Sequence, residues 1–88
     1  MLYKGMVRFM PSAFRHGYDE ADFFEVLESG PLKVRSRRGM ERVYELYGQN
    51  FSGDYLHVAY RREDYEIVVF HMRQMTFREK QLFRKWLR

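Results

Sequence analysis

Three histidines and a surplus of arginine define the chemistry open to this chain. His16, His57 and His71 are its histidines, and Lys+Arg total 16 against 12 for Asp+Glu. Imidazole has an unperturbed pKa of ~6.5, so it can take or give a proton near neutral pH, a contribution of about 10²–10⁴-fold when well placed. Arginine offers a planar fork that holds two phosphate oxygens and never deprotonates. Together these groups suit RNA phosphodiester cleavage. A base removes the 2′-OH proton, a cation stabilises the pentacoordinate phosphate, and an acid protonates the departing 5′-oxygen. Three histidines without compact ligand spacing make a poor metal site, so no metal and no cofactor is expected. A phosphate-binding glycine loop and a nucleophile elbow are missing from the sequence, which argues against an unrelated metabolic enzyme.

Arg73 is the first choice for the phosphate, because it ends a strand immediately before the last helix. Its competing role is a structural pair with a helix carboxylate such as Glu20. His71 lies two residues earlier and therefore points to the same sheet face. His57 belongs to the neighbouring strand, and whether it shares that face depends on register. Ordinary hydrogen-bonded sheet positions are the competing reading for both. His16 precedes Gly17 at the end of a short helix, where contact with the helix dipole is the plainer role. Tyr44, Tyr47, Tyr55 and Tyr60 can stack on bases or sit half-buried in the sheet.

Positioning these groups falls to a small α+β body. The chain has 88 residues, enough for one domain spanning 1–88, and 18% aromatic residues to fill a modest core. Cysteine is absent, which fits a reducing cytosol. Neither a signal peptide nor an apolar run of the ~20 residues that cross a bilayer is visible, so a soluble, cytoplasmic protein is expected. Charge is segregated. Asp19, Glu20, Asp22, Glu25 and Glu28 cluster without a base between them. Lys33, Arg35, Arg37, Arg38 and Arg42 form one basic group, and Arg73, Arg78, Lys80, Arg84, Lys85 and Arg88 another. Such asymmetry attracts a polyanion, either nucleic acid or an acidic protein.

Residues 2–10 alternate as a first strand candidate ended by Pro11, and Ser12–His16 can form a short helix stopped at Gly17. Asp19 caps a helix over Glu20–Glu28, with Gly30-Pro31 as its stop. The period then changes to two. Strands are predicted over Leu32–Ser36, Met40–Tyr47, Tyr55–Arg62 and Tyr65–Arg73, with turns at Arg37-Arg38-Gly39 and at Glu63-Asp64 and a loop over Gly48–Asp54. The apolar run Ile67–Phe70 marks a strand covered on both faces. Thr76-Phe77-Arg78-Glu79 is a capping box opening a helix whose Leu82, Phe83, Trp86 and Leu87 side reads as core. The expectation is N-terminal helices on a mostly antiparallel four-stranded sheet, with a C-terminal basic helix.

This order resembles the BrnT-type toxins of bacterial toxin–antitoxin pairs, members of the RelE-like superfamily. Arg15-His16-Gly17 followed by Asp19-Glu20 is similar to the family's basic-His-Gly segment leading into an acidic helix. Glu41-Arg42, with Gly48 and Gly53, resembles its Glu-Arg strand and glycine-bearing hairpin. Met72-Arg73-Gln74-Met75-Thr76, with Glu79 and Phe83, resembles its Ala-Arg-x-Ala-Thr-x-x-Glu-Arg ending. The likeness covers roughly residues 14–84. Val7-Arg8-Phe9-Met10-Pro11 departs from the family's Trp-Asp-Pro-like start, and Met72 and Phe83 replace its usual alanine and tyrosine. The resemblance implies an endoribonuclease toxin that inhibits translation. It also implies neutralisation by a ribbon-helix-helix antitoxin that binds DNA, with a homodimer or a hetero-oligomer with the antitoxin as the assembly. On this basis Arg73, His16 and Glu41 are expected catalytic residues, Glu41 having a salt bridge as its plainer role, and His71 joins them because it shares a sheet face with Arg73. Arg15, Arg42, Arg61, Arg78, Lys80 and Arg84 are the expected RNA contacts. The alternative is a non-catalytic basic module that binds nucleic acid or an acidic protein.

Overall fold

A computed structural model describes residues 6–35 and 41–87. Strand β1 (Val7–Phe9) leads through a 3-10 turn (Pro11–Phe14) to helix α1 (Glu20–Glu28). Strands β2 (Leu32–Arg35), β3 (Val43–Gln49), β4 (Tyr55–Arg62) and β5 (Ile67–Gln74) follow, then helix α2 (Phe77–Trp86). None of the described helices is long and apolar enough to cross a membrane.

The sheet has five strands in the order β1-β5-β4-β3-β2 rather than the four expected. The N-terminal segment supplies the fifth. It pairs parallel with β5, Val7 opposite Ile67 and Phe9 opposite Val69, while β2 to β5 run antiparallel. Its aromatic residue draws it in, for Phe9 packs edge-on against Phe23 and Phe24 at ring distances of 5.6 and 6.2 Å. Pro11 then opens the 3-10 turn, which is shorter than the predicted helix, and Ser12 Oγ donates to the Phe70 carbonyl at 2.7 Å.

Helix α1 begins as its sequence dictates. The Asp19 carboxylate accepts from the Asp22 amide, and the Asp22 carboxylate accepts from the Asp19 amide. Its Phe23 and Val26 are buried against Leu46, Leu56, Val58, Tyr60, Val69 and Met72 on one sheet face. The helix crosses β3 closely at Gly48. A Cβ there would lie 2.9 Å from Ser29 Oγ and 3.1 Å from both Pro31 Cβ and Val26 Cγ1. Gly48→Ala should therefore destabilise the fold by about 1–3 kcal/mol, the usual cost of overpacking. The urea midpoint checks this, and an unchanged midpoint would show that α1 can move aside.

The run Ile67–Phe70 is resolved by a bulge. Ala59 faces His71 but Tyr60 faces Val69, so Phe70 is an extra residue on β5. Beyond it Met72 joins Val69 and Ile67 in the α1-side core, while His71 and Arg73 turn to the opposite face. Other boundaries move too: strand β5 runs from Ile67 to Gln74, and strand β3 from Val43 to Gln49. The predicted turn at residues 37–39 lies outside the described residues. Glu41 and Arg42 precede β3 in a turn instead of alternating on a strand. Arg42 takes the left-handed conformation (φ 64°), and its carbonyl accepts from the Arg62 amide at 2.8 Å.

Helix α2 has the predicted cap: Thr76 Oγ1 accepts from the Glu79 amide, and Glu79 Oε1 accepts from the Thr76 amide. Its apolar side is not core, however. Phe83 alone of that row is buried, whereas Leu82, Trp86 and Leu87 are 60%, 50% and 55% exposed. Two residues, Met75 and Thr76, separate β5 from α2, so the helix turns off the sheet's end and seats Phe83 edge-on against Tyr55 at 6.0 Å.

Candidate active site

Strand alternation sends Glu45, Tyr47, His57, Ala59, His71 and Arg73 to the sheet face away from α1. Register brings them together: His57 lies opposite Tyr47 on one side and Arg73 on the other, and Ala59 opposite Glu45 and His71. Helix α2 closes one end of this face through Glu79, Leu82 and Phe83. The result is an open cleft of about 780 Å³.

His57 is the most enclosed of the polar groups, at 6% exposure. Its Nε2 meets Glu45 Oε1 at 2.6 Å, and the Tyr47 hydroxyl donates to the same oxygen at 3.4 Å. Burial, then the charge of Glu45, pushes the Tyr47 phenol up to about 12. The Glu45 carboxylate accepts a hydrogen bond at Nε2, and Nδ1 is the ring's other nitrogen. Among the described residues, that Nδ1 is buried without a hydrogen-bond partner. Such an orphan costs about 1–3 kcal/mol, and functional sites are where this kind of expense is retained.

His71 lies between the other two imidazoles, 5.4 Å from His57 and 5.7 Å from His16 by ring centroid. Burial lowers its pKa below 6.5, and the neighbouring His57, Arg73 and His16 lower it further. A neutral ring at pH 7 follows, ready to accept a proton. Arg73 is gripped by Glu79 through Nη1–Oε1 at 2.7 Å and Nη2–Oε2 at 3.0 Å. The arginine and the Thr76 amide hold the Glu79 carboxyl down to about 2. The helix carboxylate that pairs with Arg73 is therefore Glu79 of α2, not Glu20. One side chain both caps α2 and aligns the guanidinium across the cleft.

Among the residues singled out from sequence, His16, His71 and Arg73 meet here, with His16 exposed on the rim. Glu41 stands apart. It borders a shallower hollow with Arg42, Arg61 and Arg62, where Arg42 pairs with Asp64 at 3.1 Å and Arg61 with Glu63 at 3.2 Å. Arg15 is exposed near His16, its neighbour in sequence. Arg78 and Arg84 flank the outer side of α2, and Lys80 Nζ and the Arg84 guanidinium lie 5.0 and 5.3 Å from the Tyr55 ring centre. Sequence reasoning missed Glu45. Its only advance signal was its two-residue spacing from Tyr47, which gains meaning once β3 is registered against His57. Among the described residues no group of three or more His, Cys, Asp or Glu is placed to hold a metal ion.

No family model, curated protein or solved structure matches this chain. The residues of the cleft therefore carry the functional inference.

Proposed function

We propose that this protein is an endoribonuclease of the toxin type, with a RelE-like fold, that cleaves RNA by acid–base chemistry, inhibits translation and is held in check by a ribbon-helix-helix antitoxin. The observation that carries the reading is the convergence of His16, from the segment before α1, with His71 and Arg73 of β5 at one open cleft beside the Glu45–His57 pair. In the reaction the neutral His71 ring accepts the 2′-OH proton, and the 2′-oxygen attacks phosphorus. Arg73 stabilises the two non-bridging oxygens of the pentacoordinate phosphate. The P–O5′ bond breaks, and His16 on the rim donates a proton to the 5′-oxygen. The products are a 2′,3′-cyclic phosphate and a 5′-hydroxyl end. Glu45 holds His57, whose ring packs edge-on against that of His71.

Purified protein incubated with RNA should yield those two ends. Because the His71 pKa is lowered, the acidic limb of the pH–rate profile should fall below pH 6.5, with activity rising as the pH passes through it. His71→Asn should remove that limb and abolish growth arrest on induction. Intact RNA and harmless induction would sink the nuclease reading and leave a basic module that binds without cleaving.

A further inference from the structure

We infer that Trp86 is a base-stacking platform at the mouth of the cleft, taking a nucleobase of single-stranded RNA next to the phosphate at Arg73. This rests on RNA being the cleft's substrate. The placement follows from helix geometry. Glu79, Leu82, Phe83 and Trp86 are spaced i, i+3, i+4 and i+7, so they share one face of α2. The first three line the cleft. Trp86 continues their row about 10 Å beyond Glu79, at 1.5 Å per residue.

The indole is built as a platform. It lies nearly parallel to Phe83, with 6.3 Å between ring centres and 25° between planes, and Phe83 is itself wedged on Tyr55. Trp86 is nonetheless half exposed. Charge complementarity points to nucleic acid as the occupant. Among the described residues Arg78, Lys80, Arg84 and Lys85 form no ion pair, and Lys80 and Arg84 lie over the Tyr55 ring that seats Phe83, so the helix carries four cations without a carboxylate partner. Aromatic faces interleaved with unpaired cations are how proteins hold single strands, stacking the bases and neutralising the phosphates. A groove for an acidic peptide would use the same charges but would not need an open indole face in line with a catalytic cleft.

Trp86 is the only tryptophan in the chain, so its fluorescence reports on this position alone. The probe is a short 2′-O-methyl RNA of mixed sequence, which cannot be cleaved, added to the full chain. Saturable quenching is expected, with little quenching by an abasic oligomer of equal phosphate count. By anisotropy of a labelled oligomer, Trp86→Leu should weaken binding roughly tenfold, within the range for one stacked base, and Trp86→Phe should retain most of it. Bound oligomer with unchanged fluorescence, or Trp86→Leu binding as tightly as the wild type, would overturn the assignment and leave the ring to a protein partner. Absence of oligomer binding would overturn it too. The readout is binding, so a protein that quenches but never cleaves would refute the nuclease and spare the platform. A Trp86→Leu protein that cleaves and binds normally would do the reverse.

Discussion

Replacing Arg73 by alanine should slow RNA cleavage by about 100- to 1000-fold, the usual cost of removing a donor that meets developing charge. The guanidinium is already aligned: Glu79 holds both of its terminal nitrogens, at 2.7 and 3.0 Å, which leaves the Nε–Nη2 edge to meet the phosphate oxygens. Arg73 lies opposite His57 in the sheet and two residues from His71, so a phosphate at that free edge is within the same cleft as the proposed base. Arg73→Lys keeps the charge but loses the fork, and should fall between wild type and alanine. Single-turnover cleavage is the measurement, because it separates chemistry from product release. Arg73→Ala also leaves Glu79 unpaired, so each variant's urea midpoint must accompany its rate. A folded Arg73→Ala protein that cleaves within about threefold of wild type would remove Arg73 from the mechanism.

The second large effect is on stability. Glu79→Ala should cost about 2–3 kcal/mol, combining half of a capping box with a charge-assisted bidentate pair. Glu79→Gln keeps an acceptor for the Thr76 amide and loses only the charge, so it should cost about 1–2 kcal/mol after solvent screening. The charge term depends on pH. Pairing pulls the folded carboxyl from its ordinary 4.5 to about 2. Its stabilisation is therefore complete above pH 4.5 and is lost as the pH falls through about 2. The gap between wild type and Glu79→Gln should be full near neutral pH and close toward pH 2. A gap of constant size would mean that the cap, not the charge, is what Glu79 contributes.

Some of this architecture was written locally. The Asp19 cap, the Glu20–Glu28 helix, the Tyr55–Arg62 strand and the Thr76–Glu79 box all form where near-neighbour chemistry puts them. Each depends on residues within about one turn, or on a period of two, so a single stretch of chain contains the whole signal. His71 and Arg73 sharing a face is legible for the same reason.

The tertiary structure decided the rest. Val7–Phe9 became a parallel edge strand because its partner Ile67–Val69 lies 60 residues away. Glu45 became the partner of His57 because β3 and β4 are registered as they are, and a one-residue slip would have sent it to the other face. The bulge at Phe70 reversed the alternation of β5, letting Met72 and Val69 share a core while His71 and Arg73 line the cleft. Glu41, prominent in sequence, fell in a turn away from the histidines. The two-residue link before α2 left Trp86 in the open, where amphipathic spacing alone had assigned it to the core. Element type follows from local periodicity and capping. Which side chains meet depends on register and crossing, and those are fixed by packing between distant segments.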